Sequence, residues 1–211
     1  MLDEGSPRPG KILPFSAATS EVSEALAAPA PPGKLAVVVT YVEMHRRPAP
    51  STVGRRAEPC AVLRAEAPTV SFYRFLYNTV GQPWLWYERR LLDDEMLHQA
   101  IMSPGVEIYV LYVRGVPAGY VELDRQRLGE VEIAYFGLMP EFIGRGLGPY
   151  FLDWAVGRAW DPPQGNAPER VWLHTCTLDH PKALATYQRA GFEVYDRQEI
   201  LIDDPRLKIA F

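Results

Sequence analysis

Phe136-Gly137-Leu138-Met139-Pro140-Glu141-Phe142-Ile143-Gly144-Arg145-Gly146-Leu147-Gly148 runs from a strand-like segment through a glycine-rich turn into the start of a helix. Gly144, Gly146 and Gly148 let the backbone turn sharply and approach a ligand closely. A helix opening directly behind them aims free N–H groups and the positive end of its dipole at whatever sits in the turn. The stretch therefore reads as a cradle for a pyrophosphate, and ATP, a dinucleotide or coenzyme A would each supply one. No Gly-Lys-Ser or Gly-Lys-Thr follows, so the phosphate-binding lysine and the metal-binding hydroxyl of a P-loop are missing. A dinucleotide fingerprint would put glycine at 149, where Pro149 stands.

Downstream, residues 173–178 form an apolar, β-branched strand pattern, followed by Asp179-His180-Pro181-Lys182-Ala183-Leu184-Ala185-Thr186-Tyr187-Gln188-Arg189-Ala190-Gly191-Phe192. Asp179 as cap, Pro181 in the first turn and Gly191 beyond the last turn delimit one short helix. The glycine loop together with this Ala-x-x-x-Tyr-x-x-x-Gly-Phe helix resembles the GNAT superfamily of acyl-CoA-dependent N-acyltransferases. The resemblance covers about residue 70 to the C-terminus. It implies an α/β (α+β) fold: a mixed, mostly antiparallel central sheet with flanking helices, and a splayed parallel strand pair at the cofactor site. It also implies acetyl-CoA as acyl donor and no metal.

In the family's loop pattern the glycines fall on Gly146 and Gly148, and the basic or amide position falls on Ile143, a departure. Arg145 lies two places later and can supply the phosphate contact. Pro149 removes one N–H from the first turn, although proline suits a helix start. The resemblance implies main-chain contacts to the pantetheine arm at Phe136 and Leu138. It implies phosphate contacts at Gly144, Arg145, Gly146, Leu147 and Gly148, with His180 standing where the family often has asparagine. An imidazole cannot reproduce the paired donor and acceptor of that amide.

At 211 residues and 47% hydrophobic content the chain can bury a substantial core. No run approaches the ~18 apolar residues of a membrane span. A net charge of -4 argues against a nucleic-acid surface, which needs a concentrated basic face. The pairs Arg55-Arg56 and Arg89-Arg90 read as solvated surface. Cys60 and Cys176 are far apart and lack metal-ligand spacing, which points to a reduced, cytoplasmic protein, with a disulfide between them left open. Residues 1–34 carry Pro7, Pro9, Pro14, Pro29, Pro31 and Pro32 among Ala, Ser and Glu, the composition of a disordered tail. The acidic start and the lack of a long apolar core do not fit a secretory signal. Residues 17–28 could form a turn or two of amphipathic helix. Residues 35–211 are expected to form a single acyltransferase domain.

Within that domain the pattern predicts strands at 35–44 and 61–65, a helix at 71–80 with Phe72, Phe75, Leu76 and Thr79 on one side, and a helix capped by Asp93 to about 101. Strands at 106–113, 118–124 and 131–138 form an antiparallel meander. A helix at 147–160 leads by crossover to a parallel strand at 170–177, and 192–202 closes the sheet.

Acyl transfer from a thioester to an amine sets two chemical tasks. An amine with pKa near ~10 must lose a proton, and the departing thiolate needs a proton or a hydrogen bond. Tyr187 occupies the tyrosine of the family helix and carries a phenol donor, which makes it the candidate general acid; packing alone is the alternative. Glu132 and Glu122 are the candidate bases. Period-two alternation puts Glu132, Ala134, Phe136 and Leu138 on one face. The competing reading is a structural carboxylate paired with Arg125 or Arg127. His174 and Cys176 share a face of the later strand, pointing either to the core or toward the thioester; two residues do not make a metal site, and they read as core. The aromatic stretch Trp84-Leu85-Trp86-Tyr87, with Tyr73 and Tyr77, reads as core ahead of its alternative, a wall for an aliphatic or cationic amine.

The functional expectation is therefore an acetyl-CoA-dependent N-acetyltransferase acting on a primary amine of a small molecule or peptide, with a homodimer open. The alternative from another class is a non-catalytic acyl-CoA-binding or sensing module. Antibiotic modification, for example of an aminoglycoside, would call for a more acidic acceptor cleft.

Overall fold

The structure is a computed structural model and describes residues 30–49, 58–161 and 167–209. Of the disordered tail expected over 1–34, residues 1–29 with the amphipathic turn, and likewise the Arg55-Arg56 pair, lie outside the described residues; residues 31–34 form a turn in which the Pro31 carbonyl accepts the Lys34 N–H. No described helix is long and apolar enough to cross a membrane.

In chain order the elements are β1 (Lys34–Met44), β2 (Cys60–Arg64), α1 (Val70–Gly81), α2 (Asp94–Ile101), β3 (Val106–Val113), β4 (Val116–Asp124), β5 (Glu130–Leu138), α3 (Leu147–Trp160), β6 (Arg170–Cys176), α4 (Ala183–Arg189) and β7 (Glu193–Asp203). The strands form one seven-stranded sheet in the order β2-β3-β4-β5-β6-β1-β7. Every neighbouring pair is antiparallel except β5 and β6, which the α3 crossover joins in parallel.

β7 ends the sheet as expected, but not beside β6. β1 lies between them, antiparallel to both, with Val39 opposite Cys176 on one side and Gln198 on the other. Its run Val37-Val38-Val39 suits a strand flanked on both edges, since β-branched side chains pack well on a pleated surface. β7, left at the edge, is mostly exposed and studded with charge, a composition that discourages pairing with other chains.

The helices cover the two faces. On one, α3 and α4 bury Leu147, Phe151, Leu152 and Tyr187 against Val121, Leu123, Val131 and Leu173 of the strands. On the other, α1 and α2 bury Tyr73, Leu76, Tyr77, Val80 and Leu97 against Ile108, Val110 and Tyr120. The inward stripe of α1 thus differs from the expected one: Phe75 is 47% exposed, and Tyr73, Tyr77 and Val80 take the core positions. The hydroxyls of Tyr73 and Tyr77 explain the shift, because Tyr73 reaches the Glu122 carboxylate on β4 and Tyr77 that of Glu88 in the segment after the helix. The Thr69 side chain accepts from the Phe72 N–H, and the Asp93 side chain from the Met96 N–H, which fixes the starts of α1 and α2.

Candidate active site

β5 and β6 pair only at Glu130↔Arg170, Val131↔Val171 and Glu132↔Trp172. Beyond that point β5 stays with β4 as far as Leu138, while β6 follows β1 to Cys176, so the strands part. A cleft with about 760 Å³ of space, open to solvent, occupies the divergence. Ile133 to Phe136 line one wall, and His174, Cys176, Leu178 and Asp179 the other. Val37 and Val39 of β1, Ile200 and Ile202 of β7, Tyr187 of α4 and the segment from Trp84 to Glu88 complete it.

At the end of β5 the chain enters the glycine turn. Gly144 and Gly146 have φ of 82° and 70°, the left-handed region that side chains with a Cβ resist. A Cβ at either position would meet nothing within 4 Å, so backbone conformation, not crowding, calls for glycine. Gly146 is the N-cap of α3, which leaves the N–H groups of Leu147 and Gly148 without intrahelical acceptors. Ile143 is partly exposed beside them. Arg145 forms an ion pair with Glu58 and lies over the Phe142 ring, 4.9 Å from its centroid.

Tyr187 is buried, packs edge-on against Phe136 at 6.3 Å, and its hydroxyl has no hydrogen-bond partner among the described residues. Burial, with a smaller contribution from Asp179, pushes its phenol well above the ordinary tyrosine value, so it stays protonated and able to donate.

The faces of β5 differ from simple alternation. Between Leu123↔Ile133 and Glu122↔Tyr135 the register slips by one residue, leaving Ala134 as a bulge. The bulge reverses the alternation. Phe136 and Leu138 turn toward α3 and α4, while Tyr135 packs on the α1 side. Glu132 stands opposite Asp124 and beside Trp172 and does not share a face with Phe136 and Leu138. Its carboxylate is almost entirely buried and lies 3.8 Å from Nδ1 of His174.

Glu122 is committed elsewhere. It accepts from the Tyr73 hydroxyl and from the Arg89 guanidinium, each at 2.6 Å, and is 1% exposed. Arg89 also lies over the Tyr135 ring. Burial works against the Arg89 charge, but the Glu122 carboxylate more than offsets it and the guanidinium is held more firmly charged than usual. Arg89 is thus a largely buried partner, not solvated surface, and Glu122 is the paired structural carboxylate of the competing reading, with Arg89 in place of Arg125 or Arg127. Arg125 pairs with Glu107, and Arg127 with Glu130.

Two further expectations change. Asp179 does not cap α4, whose N-cap is Lys182. Its carboxylate accepts from the Thr175 hydroxyl (2.7 Å) and the Cys176 N–H (2.9 Å), folding the chain back at the end of β6. It also accepts the Trp86 indole N–H at 3.3 Å. His180 accepts the Lys182 N–H through Nδ1 and packs edge-on to Trp84. Trp84 and Trp86 therefore tie the α1–α2 connection to the far wall of the cleft. Gly81 makes room for this, because a Cβ there would come within 2.5 Å of the Trp86 side chain.

Tyr73 and Tyr77 belong to the core, whereas Trp84, Trp86 and Tyr87 line the cleft. His174 and Cys176 also line it and are not core. Burial, aided by Asp179, pushes the Cys176 thiol up to about 12, so it is no ready nucleophile. Nothing local in the sequence marks Asp179 or the β1 valines as lining the site. His174 and Cys176, by their shared strand face, and Trp86, within the aromatic stretch from Trp84 to Tyr87, carried a local signal. The rest depend on which strands become neighbours.

No protein with a curated description matches the chain. The acetyltransferase (GNAT) family matches residues 71–192, more than half of the chain. Among solved structures, a GCN5-related N-acetyltransferase from Kribbella flavida is similar at 15% identity and a TM-score of 0.54, over 81% of this chain and 60% of that one. A conserved protein of unknown function from Staphylococcus epidermidis ATCC 12228 is similar at 20% identity and a TM-score of 0.50, over 82% of this chain and 64% of its own. A tandem GNAT protein from the clavulanic acid biosynthesis pathway reaches 17% identity and 0.50, over 79% and 52%. The chain thus spans less than two thirds of the length of these three structures, and at such identities the likeness is one of fold. The glycine turn, the parted strands and the family match over residues 71–192 converge: this chain belongs to the GNAT family of acetyltransferases.

Proposed function

We propose that the protein is an N-acetyltransferase that carries an acetyl group from acetyl-CoA to a primary amine of a small molecule or peptide. The observation that carries this reading is the cleft between the parted β5 and β6, with a protonated, unpartnered tyrosine hydroxyl at Tyr187 on its wall.

The donor's phosphates are assigned to the turn from Ile143 to Gly148, where the Leu147 and Gly148 N–H groups and the α3 dipole favour an anion. Arg145 joins them by exchanging Glu58 for a phosphate, a trade that costs little because both side chains are more than a third exposed. The pantetheine arm is assigned to the β5 edge left without a partner past Glu132, next to Phe136 and Leu138. His180 borders this path, although its Nδ1 is already used within its own turn. The acyl donor, when bound, supplies a thioester carbonyl for attack.

Tyr187 then serves the departing thiolate as proton or hydrogen-bond donor. Of the two candidate carboxylates, Glu122 has one oxygen held by the Arg89 guanidinium and the other by the Tyr73 hydroxyl, so proton removal is assigned to the side of the cleft where Glu132 stands beside His174. Residues 35–211 act as one catalytic domain behind the N-terminal segment, in the cytoplasm.

The test is release of free thiol from acetyl-CoA across a panel of amines, repeated with Tyr187→Phe and Glu132→Gln. Thiol release that depends on an amine, and that both variants reduce, supports the reading. Stabilisation by acetyl-CoA without turnover of any amine would favour a non-catalytic binding module. If acetyl-CoA leaves the melting temperature unchanged, the assignment of the loop fails.

A further inference from the structure

We infer that His174 is the group that takes the proton from the amine, and that Glu132 is its positioning residue and not itself the base. This rests on the acyltransferase reading above. His174 lies on β6, the wall of the cleft that faces the parted strand β5, and its side chain is 31% exposed. Glu132 sits behind it, 7% exposed, and is absent from the residues that line the cleft. A base must come within hydrogen-bond reach of the proton it removes. Glu132, behind that wall, has the His174 imidazole between it and the cleft.

The pair is built by the sheet. Glu132↔Trp172 is the last paired position of the parallel strands, so His174, two residues further along β6, projects from the same face where the strands begin to part. Glu132 is held on this face by its pairing with Asp124 and Trp172, while the bulge at Ala134 sends Phe136 and Leu138 to the other side. Tyr41 of β1, opposite His174, packs its ring 5.9 Å from the imidazole and limits its rotation.

The contact from Nδ1 to the Glu132 carboxylate is 3.8 Å, too long for a hydrogen bond and close enough for charge attraction. Nδ1 faces the carboxylate, so Nε2, which points away from it, is the nitrogen left for substrate. In the step, an alkylammonium gives one N–H proton to Nε2 of the neutral imidazole. The products are a free amine, able to attack, and an imidazolium whose new positive charge lies beside the Glu132 carboxylate. The proton then leaves His174 for solvent. Among the described residues no other group in the cleft has the same combination: Glu88 accepts from the Tyr77 hydroxyl, the Asp179 carboxylate takes three donors, and the Cys176 thiol is held protonated.

The experiment uses the full chain with acetyl-CoA and tyramine, spermidine, kanamycin or an N-terminally blocked lysine peptide as acceptor. His174→Gly should lower kcat by about 10²–10⁴-fold with the KM for acetyl-CoA essentially unchanged. Added imidazole should restore at least about a tenth of the lost rate, since a free base can fill the vacated space. His174→Gln, which keeps the strand side chain, should show the same loss without rescue. Glu132→Gln should cost about 10-fold in the parent and nothing further in the His174→Gly background, because its effect passes through the imidazole. Retention of kcat by both His174 variants would overturn the inference while leaving the acyltransferase reading intact. A loss that imidazole does not relieve, together with an equal cost of Glu132→Gln in both backgrounds, would also overturn it. Failure of the parent protein to acetylate any of the amines would remove both readings.

Discussion

The indole N–H of Trp86 donates to the Asp179 carboxylate at 3.3 Å, across the cleft that separates the two parallel strands. Asp179 simultaneously holds the Thr175 hydroxyl and the Cys176 N–H, so one side chain both ends β6 and anchors the strap from α1. Asp179→Ala removes the acceptor for all three donors and should cost about 1–3 kcal/mol, whereas Trp86→Phe removes one donor and should cost about 1 kcal/mol or less. Urea denaturation midpoints would compare them. Equal destabilisation would mean that the carboxylate acts only through the tryptophan.

The Arg89–Glu122 ion pair should behave as a buried one. Glu122→Leu strands a guanidinium that is 12% exposed and should destabilise the fold by about 3–5 kcal/mol. Replacing both partners, as Glu122→Leu with Arg89→Met, should cost less than Glu122→Leu alone, because no charge is left unpaired. A double variant weaker than Glu122→Leu would show that the pair contributes more than mutual neutralisation.

Stability should fall at alkaline pH. Burial is the first cause that holds Tyr73, Tyr77, Tyr120, Tyr135 and Tyr187 well above the ordinary tyrosine value of 10.0. Above pH ~10 the unfolded chain loses these protons while the folded chain keeps them, so the folded state binds more protons and stability drops as pH rises. The contribution is fully present below that pH. Melting temperatures between pH 8 and 11 should decline most steeply at the top of the range, and absorbance at 295 nm should show some of the 11 tyrosines ionising only with unfolding. Ionisation of all of them before loss of structure would contradict the burial argument.

Two glycines of the α3 region should respond in opposite ways. Gly146→Val places a β-branched residue at φ 70° and should destabilise the protein by about 1–2 kcal/mol. It should also reduce the rise in melting temperature that acetyl-CoA produces. Gly157, inside α3 with nothing near a new Cβ, should tolerate alanine and gain about 0.5–1 kcal/mol. Thermal unfolding with and without acetyl-CoA would measure both.

Much of the fold was legible because it follows local rules. The helix expected at 147–160 coincides with α3, and the glycine turn, the Asp93 cap and the strand meander all fall where turn chemistry and periodicity put them. The faces were less legible. The bulge at Ala134 follows from packing two strands of unequal path, which no alternation within β5 records, and it moved Glu132 away from Phe136. Phe75 illustrates the same limit on α1: by hydrophobicity it should be inside, but the Tyr73 hydroxyl finds the buried Glu122 carboxylate and the Tyr77 hydroxyl the half-buried Glu88, and the helix turns toward them.

What the sequence determined by itself is the set of features carried by neighbours along the chain: the glycines at 144 and 146 that permit a left-handed turn, the helix behind them, and the tyrosine helix whose spacing goes with it. What only the tertiary structure decided is which distant residues meet. β1 lies between β6 and β7, more than a hundred residues away in sequence, and so brings Tyr41 against His174 and Val37 and Val39 into the cleft. Arg89 finds Glu122, and Trp86 finds Asp179, by the same means. Such pairings are set by the burial of whole faces and the neutralisation of buried charge, and those energies exist only once the sheet has assembled.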